Sequence, residues 1–371
     1  MSSAYLAIPK SPPELNIPSS TSVVEVRVID TYTLLYLDPK LFWQPDLEEF
    51  NGLHAPVYCF LVSHGNRHVV FDLGVRPDWE NYAPKVVSLI KATTKVTPGL
   101  DVASILDSNA SGLGIRSSNI ESVIWSHNHF DHIGNPSTFP PSTELVVGPG
   151  VKASSWPGYP CKSDASVLDS DAQGRVVREV SFDTGLKIGR FDGVDFFGDG
   201  SFYILDAPGH AIGHLCALAR TTATPASFVF MGADACHHPG LLRPSAYLPL
   251  PRSIMPSPFT HIEEAAVSCP GSLIQSLIPG QNPWVPFFSV SCGPLFPDYS
   301  GAMHTVQKIQ ELDAADNVFI VLAHDLSLRD RIPLFPKMIN EWRASNLRSM
   351  TRWRFCSDFE NAVQRRLLEK S

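Results

Sequence analysis

Nine residues, Ser126-His127-Asn128-His129-Phe130-Asp131-His132-Ile133-Gly134, constrain this chain more than any other stretch. Three histidines and an aspartate fall within six positions, directly after the apolar run Val123-Ile124-Trp125. A short apolar run of that kind predicts a buried strand, which puts the polar cluster in the turn at the strand's C-terminal end. Imidazole nitrogens and a carboxylate on one tight turn converge naturally on metal. This donor set suits zinc and other borderline divalent ions, whereas calcium and magnesium want oxygen alone.

Four further segments extend the pattern. Val69-Val70-Phe71-Asp72-Leu73-Gly74 is a strand ending in Asp-x-Gly, and Asp206-Ala207-Pro208-Gly209-His210-Ala211-Ile212-Gly213-His214 is a turn carrying two histidines. Phe230-Met231-Gly232-Ala233-Asp234 and Phe319-Ile320-Val321-Leu322-Ala323-His324-Asp325 are apolar runs that end in an aspartate and a histidine. In this order, with His-x-His-x-Asp-His between the first and second, the segments resemble the motifs of the metallo-β-lactamase superfamily.

The resemblance implies an α/β fold, a four-layered αββα sandwich with two sheets face to face and helices outside. It also implies a ligand set. His127, His129 and His210 would serve one metal, Asp131, His132 and His324 a second, and Asp234 would bridge them, leaving room for a shared water. Two zinc ions per chain are expected; iron or manganese would suit the same donors. Asp72, His214 and Asp325 are candidates for fixing ligand tautomers from behind. Related lactonases often carry a tyrosine three residues after the bridging aspartate, placed to hydrogen-bond the substrate carbonyl. His237 stands there in this chain, followed by His238, so Asp131 and His237 are the candidate catalytic groups.

Two divalent cations lower the pKa of a shared water from about 16 to about 7, so the implied chemistry is hydrolysis. The turn motifs look most like the lactonase branch, and the segment after Asp234 is similar to fungal members. The expected reaction is opening of a lactone or lactam ring in a small hydrophobic or aromatic metabolite or toxin. Hydrolysis of acyl thioesters in secondary metabolism is the first alternative. An iron-dependent oxidoreductase on the same fold is the second, and metal analysis separates it from the others.

Bulk properties narrow the partners. The chain has 371 residues, 44% of them hydrophobic, which supplies a sizeable core; one domain over 1–371 is expected. A net charge of −8, with no lysine or arginine cluster along the sequence, argues against nucleic acid. No apolar stretch reaches the roughly eighteen residues a membrane span needs, and residues 1–22 lack a signal-peptide core and read as flexible. Seven widely spaced cysteines suit free thiols and a cytoplasmic setting. Cys216 and Cys236 read as packing residues, and His64, His68, His261 and His304 as non-ligands.

Strands are expected at 23–29, 57–63, 68–72, 144–147, 194–197, 201–206, 215–220, 227–232 and 318–322, and helices near 84–94 and 101–109. Residues 150–180 read as irregular. Thr260-His261-Ile262-Glu263 and Ser357-Asp358-Phe359-Glu360 have capping-box spacing, the second opening a helix over 358–369. The proline-rich segments 237–258 and 279–297 carry leucines, Tyr247, Trp284, Phe287, Phe288 and Phe296 but only two cations, Arg243 and Arg252. They are expected either to wall the metal site against a neutral substrate or to cover core or a homodimer interface.

Overall fold

Val57-Tyr58-Cys59-Phe60-Leu61-Val62 has no polar face, because both faces of its strand are covered. The computed structural model describes residues 4–108, 112–262, 265 and 267–369. Within them a first sheet holds β1 (Glu25–Leu37), β2 (Leu53–His64), β3 (Arg67–Phe71), β4 (Val96–Thr97), β5 (Ile120–Ile124), β6 (Glu144–Val147) and β7 (Val177–Glu179). Its order is β4-β1-β2-β3-β5-β6-β7, antiparallel from β4 to β3 and parallel from β3 to β7. A second sheet holds β8 (Lys187–Ile188), β9 (Phe191–Asp195), β10 (Phe202–Asp206), β11 (Leu215–Ala223), β12 (Ala226–Met231) and β13 (Val318–Val321). It runs β13-β12-β11-β10-β9-β8, with only the β12–β13 pair parallel.

Period-two alternation sorts these strands into layers. Tyr58, Phe60, Val62 and Phe71 of the first sheet share one buried cluster with Phe202, Ile204, Ala217, Val229, Met231 and Val321 of the second, so the sheets pack face to face. The alternate residues Cys59, Leu61 and Val70 pack outward in the company of Val86 and Ile90 from the helix Pro84–Thr93. On the far side Leu218, Phe230 and Ile320 join Val306, Ile309 and Leu312 of the helix Tyr299–Ala314. The expected αββα sandwich is the fold.

Several expectations need correcting. The strand placed at 194–197 is Phe191–Asp195; Phe196 and Phe197 turn off it and pack their rings on Phe202. Residues 150–180, taken as irregular, contain the helix Val151–Ser155 and the edge strand β7, whose exposed Arg178 and Glu179 hid the alternation. The helix expected at 101–109 spans Val102–Asp107, with the Asp101 carboxylate accepting from the Ser104 N–H at 2.8 Å; residue 109 lies outside the described residues. Of the two capping boxes, the one at Ser357–Glu360 does not form as expected, and the C-terminal helix is Glu360–Leu368. Glu263 lies outside the described residues, and Glu360 instead accepts hydrogen bonds from the N–H groups of Thr260 and His261 at 2.9 and 2.6 Å.

The stretch expected to be loose, 1–22, is anchored over its described part. Leu6 N–H donates to the Leu250 carbonyl, Lys10 N–H to Ala246, and Gly189 N–H to Leu15. Segment 237–258 is largely interior, with Leu241, Leu242 and Leu250 in the larger core, whereas 279–297 buries Phe287, Phe288, Val290 and Phe296 and leaves its other residues partly or fully exposed. Trp284 faces outward, its indole N–H on the Ile8 carbonyl. No helix among the described residues is long and apolar enough to cross a membrane.

Candidate metal centre

Each expected ligand lies in a turn that follows the C-terminal end of a strand. Asp72 follows β3, the 127–132 turn β5, His210 β10, Asp234 β12 and His324 β13. Because β3 and β5 are parallel, as are β12 and β13, these turns gather along one edge of the sandwich. Gly209 lets the His210 turn sit tight against the helix Tyr299–Ala314. Its φ is +126°, and a Cβ there would stand 2.0 Å from the Ala302 nitrogen. Asp72 and Ala233 both hold positive φ, 63° and 42°, so the backbone beside two site carboxylates is strained into place.

The side chains form two four-membered groups that share Asp234. His127, His129, His210 and Asp234 make one; Asp131, His132, His324 and Asp234 make the other. In each, the candidate ligand atoms lie within 4.8 Å of one another. His132 donates from Nδ1 to Asp72 Oδ2 at 2.7 Å, and Asp72 Oδ1 accepts the Ser126 N–H at 2.6 Å. His324 donates from Nδ1 to the Pro56 carbonyl at 2.9 Å. With Nδ1 committed in each ring, Nε2 of both is the atom left to face Asp234 Oδ1, at 3.0 Å, a contact that needs a proton or a cation between the two atoms. Lone pairs facing a carboxylate oxygen repel unless positive charge lies between them.

That demand for positive charge is visible throughout the cage. Asp72, Asp131 and Asp234 are all buried. The Nε2 atoms of His127, His132 and His324 and Oδ1 of Asp234 have no hydrogen-bond partner among the described residues. Burial would lower the His324 pKa, yet the carboxylates of Asp234 and Asp131 hold it up at about 10. Burial would raise Asp234, but the imidazoles of His132, His237 and His324 keep it well below the usual carboxylate range. His127 and His210, buried among other imidazoles, are pushed well down and stay neutral, as ligands must be. Three buried carboxylates, orphaned donor atoms and fixed tautomers fit two divalent cations.

The remaining candidates divide. His214 accepts the Asp234 N–H at Nε2, 3.2 Å away, and so supports the shared carboxylate from behind. Asp325 does not touch a ligand; it caps the turn at Leu326–Leu328 by accepting from Ser327 N–H. His237 points Nε2 at Asp234 Oδ2 from 3.0 Å, stacks on His324 and contacts Phe42 and Phe296. His238 turns the opposite way into a cage of Trp43, Phe50, Phe288, Phe355 and Phe359, with Nε2 on Asp358. Cys216 and Cys236 are buried thiols donating to backbone carbonyls, away from the ligand groups.

A cavity of about 200 Å³ opens over this cage. Its floor includes His129, Asp131, His210, Asp234, His237 and His324, and its apolar wall is Leu35, Leu37, Leu41, Phe42, Val86 and Leu89. The wall therefore comes from the end of β1 and the helix Pro84–Thr93. Of the two proline-rich segments only His237 and Leu295 reach it. The sequence did hold a signal for this wall. Val86 and Ile90 stack on the core face of the helix while Leu89 adds a second apolar stripe, more than a simply half-buried helix requires.

Comparison with known proteins agrees with the geometry. Residues 54–221 match the metallo-beta-lactamase superfamily. The metallo-hydrolase mfmC of Annulohypoxylon moriforme is 65% identical over 355 residues, covering 96% of this chain and 92% of that one. The gamma-lactamase FDB1 of Fusarium pseudograminearum is 43% identical over 359 residues, covering 94% and 85%. Among solved structures, an N-acyl homoserine lactone hydrolase with its product N-hexanoyl-L-homoserine at the catalytic metal center superposes with a TM-score of 0.54 at 15% identity. The match covers 86% of this chain and 100% of that one, and it shows a shared fold. By its relatives, its fold and the order of its ligand motifs, the chain belongs to the metallo-β-lactamase superfamily.

Proposed function

We propose that the protein is a dinuclear metal hydrolase, loaded with zinc, that opens the lactone or lactam ring of a small neutral metabolite. The observation that carries this reading is the pair of four-ligand groups sharing Asp234 on the floor of an apolar cavity. The relatives named for metallo-hydrolase and gamma-lactamase activity support the same reaction class. Bound there, two divalent cations would supply hydroxide at neutral pH and polarise the scissile carbonyl.

The chain's own residues do the rest. Asp72 and the Pro56 carbonyl hold His132 and His324 in the tautomer that presents Nε2. His237, first considered as a donor to the substrate carbonyl, spends its Nε2 on Asp234 Oδ2, so its role is to orient that carboxylate. Leu35, Leu37, Phe42, Val86 and Leu89 exclude water and take the ring's apolar surface, worth roughly 25 cal/mol per Å². Among the described residues no lysine or arginine lines the cavity, which disfavours a carboxylate or phosphate ester such as a coenzyme A thioester. Seven free thiols fit a cytoplasmic enzyme, and no nucleic-acid or membrane partner is invoked.

The test is a screen of purified protein against lactones, lactams and acyl thioesters, with and without a chelator. Chelator-sensitive turnover of a neutral ring substrate is the expected result. Faster turnover of coenzyme A thioesters than of any ring, or turnover that survives metal removal, contradicts it.

A further inference from the structure

Four arginines, Arg343, Arg348, Arg352 and Arg354, fall within twelve residues near the C-terminal end of the sequence, and folding turns three of them to one pocket. Arg343, Arg348 and Arg352 line a pocket of about 210 Å³ together with Trp342, Asn346, Ser349 and Asp316. It lies at the end of β13 opposite the metal centre, since Asp316 precedes that strand and His324 follows it. The separation is on the order of 20 Å along the strand.

Its polar groups are out of balance in one direction. Trp342 is only 1% exposed, yet its Nε1–H has no acceptor, and the Nε–H groups of Arg348 and Arg352 are likewise buried and unpartnered. Buried donors are normally paired, and three orphans of the same kind on residues that line one cavity call for an acceptor. The nearby carboxylates are already committed. Asp313 gives both oxygens to Arg243 at 2.7 Å, and Asp316 pairs with Arg343 at 3.3 Å. Arg348 and Arg352 otherwise reach only the Asp313 carbonyl, at 2.6 and 3.3 Å. Burial and the neighbouring Arg352 push the Arg348 pKa down to about 10, the mark of uncompensated positive charge.

We propose that this pocket binds a phosphate group, from inorganic phosphate or a small phosphate ester, at a site separate from the metal centre. A tetrahedral oxyanion offers acceptors in several directions at once, as donors from Trp342, Arg348 and Arg352 require. Asp316, whose side chain is 82% exposed, can release Arg343 to the same ligand.

Calorimetric titration of the metal-loaded protein with inorganic phosphate at constant ionic strength tests this. Saturable binding of one phosphate per chain is expected, in the millimolar range or tighter (about 1 mM). Trp342→Phe removes the indole N–H and Arg348→Lys keeps the charge but loses the guanidinium fork, and each should weaken binding about tenfold with ring hydrolysis and metal content unchanged. Asp234→Ala should lose metal but retain phosphate binding, which separates this proposal from the catalytic one. The inference is overturned if the wild-type protein shows no saturable binding in that range. It is equally overturned if binding persists in Trp342→Phe and Arg348→Lys but disappears in Asp234→Ala, because phosphate would then occupy the metal centre.

Discussion

Asp72 supplies no candidate ligand atom, yet through its direct contact with His132 it decides what that side chain can do. It accepts from His132 Nδ1 and from the Ser126 N–H while holding a φ of 63°. Asp72→Asn keeps the size and tolerates that φ, but its amide can turn an N–H toward Nδ1 and force the His132 proton onto Nε2. A loss of about 10- to 100-fold in metal affinity or turnover is expected, measured by zinc titration and kcat on the best ring substrate. Unchanged values would show that the tautomer is set elsewhere. Asp171, away from the cage, gives a second residue-scale prediction. Burial raises its carboxyl to about 7, against 3.8 for the unperturbed group. Between those values the unfolded chain has ionised the carboxyl and the folded chain has not, so the unfolded state binds fewer protons. Stability therefore falls as pH rises through that window. Asp171→Asn removes this slope, and thermal unfolding at about pH 4 and about pH 8 should show the variant gaining on wild type at the higher pH. Equal pH dependence of the two proteins contradicts the assignment.

At the scale of elements, the cavity wall is drawn mainly from the helix Pro84–Thr93 and the segment after β1, while the proline-rich segments mostly follow the other course open to them and contribute to the core. Leu89→Ala and Phe42→Ala should each lower kcat/KM for an apolar ring substrate by about tenfold, mainly through KM. Trp284→Ala should leave it unchanged, because that indole packs on the N-terminal segment rather than the cavity. The reverse pattern would return the wall to 279–297. The choice between those two courses is where the sequence stops being legible. Leucines and phenylalanines between prolines look the same whether they line a cavity or fill a core. Only the tertiary placement of Phe287 and Phe288, both buried, separates the two. The candidate ligands were readable because short spacing after an apolar strand brings them together locally, as at His127, His129, Asp131 and His132. His237 and His238 mark the boundary of that advantage: neighbours in an extended backbone point to opposite sides. One therefore faces Asp234 and the other an aromatic cage, which composition alone does not distribute.

For the whole molecule, both sheets contribute to one buried cage, and nothing but positive charge reconciles its parts. Asp234 concentrates that requirement, since Oδ1 faces His132 and His324 while Oδ2 faces His127, His210 and His237. The most direct measurement is to strip the protein of metal, add zinc back in known amounts, and follow ring hydrolysis alongside elemental analysis, with Asp234→Ala in parallel. Activity that rises to a plateau at two zinc ions per wild-type chain, with neither full occupancy nor activity in the variant, is the predicted result. A plateau at one ion, activity without metal, or an Asp234→Ala protein that keeps most of its turnover would contradict the shared dinuclear centre.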